Sequence, residues 1–329
     1  MKITSAHGGG GKLMGDLIRD IFEKHFSNNI LCRMEDAAVL SVSSKKIAFT
    51  TDSFVVTPLF FPGGDIGRMA VCGTVNDLLM RGATPKYLSA GFILEDGLDI
   101  EVLEKVVLSM KETADEAQVI IVAGDTKVID GKGGLYINTS GIGMVETQLD
   151  ISVQKAADHD AVIVSGYMGN HHASILSCRM GIANSIQSDC APLNEMVKGL
   201  LESGIEIHAM RDITRGGLAT VLNEIAAGSH VGIELDNEPA LADSQVEGFC
   251  DILGLDALYM GNEGKLVVTL PKQDACRAVE IIKSSRYGEF AQVIGTVYAC
   301  DAPEVTIKTR SGGTRIIEPL LGEGLPRIC

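Results

Sequence analysis

"DIEVLEKVVLSMKETADEAQVIIVAGD", residues 99–125, changes its period part-way. Over 99–118 the apolar residues Ile100, Leu103, Val107, Met110 and Ala114 form one helical stripe, and Asp99 is placed to cap its first turn. "VIIVAGD" (119–125) is then a short apolar run, the pattern of a buried strand. A helix handing over to a buried strand predicts a mixed α/β chain, and the neighbouring stretches agree. "KIAFTTDSFVV" (46–56) alternates and is β-branched, so it reads as a strand, as does "GLYINTSGIGMV" (134–145). Residues 65–83 carry helical spacing at Ile66, Met69, Ala70, Val75, Leu78 and Leu79. A second unit starts near "KAADHDAVIVSG" (155–166), with helices expected at 217–229 and 274–285 and strands at 264–270 and 286–300. These patterns divide the chain into domains at 1–153 and 154–318, followed by a tail at 319–329 expected to be mobile. The halves show no internal sequence repeat.

A chain of 329 residues with 46% hydrophobic content can bury two cores. Its formal net charge of −15 argues against a nucleic-acid surface, which needs clustered Lys and Arg. No run of 18 apolar residues is present, so no membrane span is expected. The opening "MKITSAHGGGGKLM" lacks the apolar stretch of a secretory signal. The eight cysteines are scattered without a C-x-x-C and read mostly as small buried hydrophobes, which points to a reducing, cytoplasmic setting.

"HGGGGK" (7–12) offers bare backbone N–H groups and the charge of Lys12 to a phosphate, though it departs from a Walker A loop at Ala6 and Leu13. A flexible arm fits it equally. Asp36, Asp52, Asp77, Asp125 and Asp212 each lie among small residues, as Mg²⁺ carboxylates do, and each singly also fits a cap or turn. Lys127 in "GDTKV" and Glu263 in "GNEGKL" suit acid–base or phosphate roles, or are a surface lysine and a turn residue. The adjacent pair His171–His172 is not a metal pair by spacing, since neighbours point to different faces.

The last residue is a cysteine, in "GEGLPRIC" (322–329). With eight cysteines in 329 residues, one falls at a given position by chance roughly one time in forty. The span from Pro319 to Cys329 extends to about 35 Å, which makes the tail a plausible carrier arm.

Taken in order, "HGGGGKLM", "TTDSFVVTPLFFPGGDIG", "VCGTVNDLLMRGATPKYLS", "AGDTKV", "RDITRGGLA", "NEGKLV" and terminal "PRIC" resemble the HypE family of hydrogenase expression/formation proteins, within the superfamily of aminoimidazole ribonucleotide and selenophosphate synthetases. The resemblance covers essentially the whole chain. It implies a two-domain PurM-like fold whose N-terminal domain builds a shared β-barrel with a second copy, and ATP with Mg²⁺ between domains or subunits. The implied chemistry is ATP-dependent dehydration of a carbamoyl group on the C-terminal thiol to a thiocyanate. The carbamoyltransferase HypF loads that thiol, and the HypC–HypD complex receives the cyano group for a NiFe-hydrogenase iron.

Position by position, the resemblance makes Asp36, Asp52, Asp77 and Asp212 the metal and phosphate carboxylates. Gly8, Gly10, Gly11, Lys12, Thr51, Gly124, Asp125 and Thr126 would hold the nucleotide. Lys127 and Glu263 would flank the tail and take its N–H proton, and Cys329 would carry the substrate. The chain departs from the family at Gly9, where serine is common, at Glu35 before Asp36, and in "GNHHAS" around His171 and His172. Two rivals remain at this level: a related synthetase acting on a free small molecule, and a non-catalytic assembly factor with a docking tail.

Overall fold

The computed structural model describes residues 2–8, 12–33, 38–146, 148–236, 241–309 and 312–320. The chain opens with α1 (Lys12–Leu17), which passes through a π-helical turn (Ile18–Glu23) into α2 (Lys24–Phe26). There follow β1 (Lys46–Phe54), the two-residue strands β2 (Phe60–Phe61) and β3 (Gly64–Asp65), α3 (Ile66–Met80), β4 (Ala83–Glu95), α4 (Ile100–Glu116), β5 (Ile120–Ile129) and β6 (Leu135–Val145). One sheet is built from these in the order β1-β6-β4-β5, antiparallel except for the β4/β5 pair.

Helix α3 starts where Asp65 Oδ1 accepts from the N–H groups of Gly67 (2.7 Å) and Arg68 (3.1 Å). It is apolar nearly all round and buried nearly all round, because the sheet lies on one side and the C-terminal half on the other. Helix α4 buries the expected stripe, with Leu103, Val107, Met110 and Ala114 inside. Asp99 occupies its N-cap position, yet the side chain makes no capping hydrogen bond and instead faces Lys2 at 4.0 Å. Strand β4 had no clear sequence signal, since "ATPKYLSAGFILE" breaks alternation with Pro85 and Lys86. The proline is accommodated at a register shift between Pro85 and Tyr87.

Only one face of this sheet is covered. In β1, Thr50, Asp52 and Phe54 turn toward α3, while Phe49, Thr51 and Ser53 turn away and are exposed. The uncovered face also carries Ile47, Ile93 and Ile129.

The C-terminal half comprises β7 (Asp160–Val164), α5 (Asn170–Met180), α6 (Asn194–Glu202), β8 (Ala209–Asp212), α7 (Gly217–Ser229), β9 (Gly232–Leu235), α8 (Ser244–Leu253), β10 (Leu266–Pro271), α9 (Ala275–Ser284), β11 (Gln292–Tyr298), β12 (Glu304–Lys308) and β13 (Thr314–Ile316). Its sheet runs β13-β12-β9-β11-β7-β10-β8. β7 is buried at every residue because both faces are covered. Ala161 and Ile163 join a core with α6, α9 and the N-terminal half, while Val162 and Val164 pack with α7. The core therefore continues from one sheet to the other through α3 and α6.

Among the described residues, no helix is long and apolar enough to cross a membrane. Of the seven described cysteines, Cys72, Cys190 and Cys250 are buried, whereas Cys32, Cys178 and Cys276 are exposed and Cys300 is intermediate. Expecting most cysteines in the interior was therefore wrong. Apolar neighbours in sequence do not fix which face of a helix a thiol occupies.

Candidate active site

Three of the acidic residues singled out in the sequence come together between the two sheets. Asp52 sits in β1, Asp77 near the end of α3 and Asp212 at the end of β8. Asp77 Oδ2 accepts from Thr50 Oγ1 at 2.8 Å, and Asp52 Oδ1 accepts from the Ser53 N–H at 2.8 Å. Burial, with the negative charges of Asp77 and Asp52 nearby, pushes Asp212 up to about 7, although Arg211 offsets part of the rise. Asp77 is raised by burial as well, with Thr50 lowering it, Asp52 raising it, and Arg211 and Arg215 lowering it. Glu263 joins this group from the loop before β10. Its burial and the charges of Asp212, Asp189 and Asp52 lift it well above the usual carboxylate range.

Such a cluster costs folding free energy, because like charges share a partly desolvated space. A hard cation relieves that cost. Among the described residues, no three or more His, Cys, Asp or Glu side chains are drawn together as a ready ligand set. The donors nonetheless fit Mg²⁺, which takes one or two carboxylates and completes its shell with water and phosphate oxygens.

The other expected residues lie elsewhere. "GDTKV" is in the middle of β5 rather than at a strand end, and β5 is the edge of the sheet farthest from β1. Thr126 is buried on the helix side of this strand, whereas Asp125 and Lys127 point from the opposite, uncovered face. They pair at 3.4 Å, each 69% exposed. Within one chain Lys127 and Glu263 therefore do not flank a common point. The sheet stands between them, because residue parity along a strand decides the face.

Gly124, Asp125 and Thr126 also line a cavity of about 530 Å³ between β5 and the N-terminal helices. Its walls are mainly apolar and include Phe22, Phe26 and Phe92. Lys12 begins α1 and is exposed, and Gly8 ends a short 3₁₀ turn. Gly10, Gly11, Asp36 and Cys329 lie outside the described residues, as do Gly9 and Glu35.

The described end of the chain is tied to α7 and to Tyr259 in the 3₁₀ turn Ala257–Tyr259. Ile317 O accepts from Asn223 Nδ2 (2.9 Å), Glu318 O accepts from Tyr259 OH (3.0 Å), and the Leu320 N–H reaches Thr220 Oγ1 (3.5 Å). Helix α7 follows Asp212 after four residues, through the left-handed glycines Gly216 and Gly217. A Cβ on Gly217 would come within 2.4 Å of the Leu258 carbonyl oxygen, so only glycine allows this turn.

His171 and His172 are interior residues of α5. Burial and its neighbour push His171 down to about 3, so it is a neutral imidazole, and its Nδ1 shares a 2.8 Å hydrogen bond with Ser188 Oγ. Sequence reasoning missed Thr50, Asn76 and Asp189. Thr50 and Asn76 lie inside the quoted stretches beside Asp52 and Asp77, Asp189 lies in none of them, and their roles arise from contacts over long sequence separations.

The models for AIR synthase related proteins match this chain, the N-terminal domain at residues 34–145 and the C-terminal domain at 157–308. A carbamoyl dehydratase HypE from Rhodobacter capsulatus is 44% identical over 336 residues, covering all of this chain and 98% of that protein. A crystal structure of hydrogenase maturation protein HypE in complex with ATP superimposes with a TM-score of 0.95 at 44% identity, covering 99% of each chain. HypE from a HypE–HypF complex matches with a TM-score of 0.81 at 46% identity, covering 92% of this chain and 99% of that one. The chain belongs to the HypE family of carbamoyl dehydratases, assembled from the two domains of AIR synthase related proteins.

Proposed function

We propose that the chain dehydrates a carbamoyl group carried on Cys329, using ATP, to give a protein thiocyanate, ADP and phosphate. The observation that carries this reading is the convergence of Asp52, Asp77, Asp212 and Glu263 beside the helix to which the C-terminal arm is tied. From Leu320 the remaining nine residues span at most about 30 Å, the length over which the arm would carry Cys329 toward that cluster.

The thiocarbamate oxygen is a poor leaving group, so it first takes the γ-phosphoryl group and then departs as phosphate. One N–H proton leaves as the oxygen attacks the γ-phosphorus and ADP departs, and the second leaves with the departing phosphate as the C≡N bond forms. Glu263, once ionised, accepts a proton from nitrogen, its proton affinity raised by burial and by the neighbouring carboxylates, and Lys127 stabilises the negative charge that develops on oxygen. Asp52, Asp77 and Asp212 would hold Mg²⁺, which when bound neutralises triphosphate charge. The apolar cavity beside Gly124, Asp125 and Thr126 would take the purine, and the glycine run from Gly8 through Gly10 and Gly11, with Lys12, would close over the phosphates.

A second copy completes the site. Strands β1 and β5 are long sheet edges with no strand partner among the described residues, and the face between them exposes Ile47, Phe49, Ile93 and Ile129. Closing two such sheets into a barrel with β5 of one protomer beside β1 of the other sets the purine cavity of one, on the helix-covered side of β5, next to Asp52 and Glu263 of the other, and brings Lys127 to the same seam from the uncovered side. The edge-to-edge distance falls from three strand spacings, about 14 Å, to one, about 5 Å. In this scheme residues 1–153 form the barrel and nucleotide domain, 154–318 supply Asp212 and Glu263, and 319–329 are the arm. HypF would load the arm and HypC–HypD would take the cyano group.

The test is to incubate the protein with HypF, carbamoyl phosphate and ATP and to weigh its C-terminal peptide. Carbamoylation followed by ATP-dependent loss of water is expected. Labelling of Cys329→Ala as strongly as wild type would assign the carrier to another thiol.

A further inference from the structure

Glu263 lies in the loop before β10, outside any strand, so something other than a backbone ladder must fix it. Its N–H donates to Asp189 Oδ1 at 2.8 Å, and its carbonyl accepts from Asn76 Nδ2 at 3.3 Å. The same Asn76 amide donates to the Ala191 carbonyl at 3.1 Å, and its Oδ1 accepts from the Leu193 N–H at 3.0 Å. Asn76 is 2% exposed and immediately precedes Asp77 on α3. One buried side chain thus ties the Glu263 loop to the helix that carries a cluster carboxylate.

The segment bearing Asp189 is itself pinned. The Ser188 N–H donates to the Pro62 carbonyl (2.8 Å), Ser188 Oγ accepts from the Cys190 N–H (3.1 Å), and Arg68 Nε donates to the Cys190 carbonyl (2.8 Å). The two loops approach so closely that a Cβ on Gly264 would fall 2.0 Å from the Asp189 carbonyl oxygen. Asp189 Oδ2, meanwhile, is buried with no hydrogen-bond partner among the described residues. Burial raises the Asp189 carboxyl, and Lys265 with the backbone N–H groups of Glu263 and Gly264 offsets part of that rise; burying a carboxylate to hold a loop backbone is costly for stability alone.

We propose that Asp189 is a positioning residue for Glu263, with Asn76 as its counterpart on the other side of the same residue. Together they hold both peptide groups of Glu263, so the carboxylate stays aimed at the cluster. The "FFPGG" turn and His171, through Ser188, brace this device rather than the chemistry. The inference rests on the reading of Glu263 as the proton acceptor.

The experiment is single-turnover dehydration of the carbamoylated full-length protein, with ATP affinity measured in parallel, for Asp189→Ala, Asp189→Asn and Glu263→Gln. Asp189→Asn keeps the Oδ1 acceptor and is expected within about threefold of wild type. Asp189→Ala lets the loop shift and is expected to slow turnover about a hundredfold with ATP affinity unchanged. Equal loss in Asp189→Ala and Asp189→Asn would overturn the proposal, since charge rather than position would then matter. So would a parallel loss of ATP binding, or near-normal turnover of Asp189→Ala where Glu263→Gln is inactive. Normal turnover of Glu263→Gln would remove the parent reading and this one with it.

Discussion

Two sets of ionisable groups occupy opposite sides of the same four-stranded sheet, and they differ in almost every physical respect. Asp125 and Lys127 stand on the uncovered face, open to solvent and paired with each other. Asp77, Asp212 and Glu263 are crowded between the sheets, with their proton affinities raised by burial and by one another. The first set has a cation, with a largely apolar cavity across its strand; the second has excess negative charge and no lysine among the causes that shift it. Neither is sufficient for phosphoryl transfer coupled to proton removal. The contrast supports the proposal that these are two halves of one site, joined when a second copy docks.

The sharpest way to break this comparison is to neutralise its buried side. Glu263→Gln is expected to slow dehydration about a thousandfold while ATP still binds, measured by single turnover. On the exposed side, Lys127→Ala is expected to cost about a hundredfold with no change in thermal stability, since a surface pair contributes little.

Asp212→Asn separates function from stability. Native Asp212 titrates near 7 and an unfolded aspartate near 4, so over that interval the native state binds more protons. The Asp212 contribution to the stability of the metal-free protein therefore falls as pH rises from about 4 to 7 and levels off above. The variant should lose Mg²⁺-dependent activity and, in thermal melts from pH 5 to 8 without metal, show a flatter profile and a higher melting temperature at pH 8. An unchanged profile would show that the cluster is not strained.

A third group of charges sharpens the contrast by being satisfied. Arg68 pairs with Glu116 at 2.8 Å and reaches Tyr287 OH at 3.2 Å, and Arg286 also contacts Glu116 at 3.0 Å. Burial alone would raise Glu116, but Arg68 and Tyr287 outweigh it and hold it below its usual range. Its stabilisation is present at neutral pH and is lost as pH falls through the acid range. Arg68→Ala should cost about 2–3 kcal/mol in denaturant unfolding and leave the ATP site intact. The smallest effect on the isolated fold is expected from Phe49→Asp, which is 66% exposed. Sedimentation should shift toward the monomer with secondary structure unchanged.

Much of this was legible in the sequence. Periodicity located β1, α4, β6 and α7 within a few residues, because each presents one face to a core, and α3 was found by its apolar spacing although it is buried nearly all round. Strand β4 escaped notice because Pro85 and Lys86 interrupt it, and it is held by pairing on both sides rather than by its own pattern. The acidic residues near small residues were found one by one, and the structure brings three of them together with Glu263. What sequence could not supply was the face. Lys127 and Glu263 both stand beside glycines in similar motifs, yet strand parity places them on opposite sides of a sheet. Asp189 and Asn76 were invisible for a related reason: their hydrogen bonds join residues 74 and 187 positions apart.

Mixed dimers of Lys127→Ala and Glu263→Gln test the two-copy site most directly. If Lys127 of one protomer serves Glu263 of the other, a mixed dimer has one doubly damaged site and one intact site. Co-expressed and purified through two different tags, it should then recover about half the wild-type dehydration rate. A mixed dimer as inactive as either parent variant would contradict the account, because each protomer would then be using its own pair.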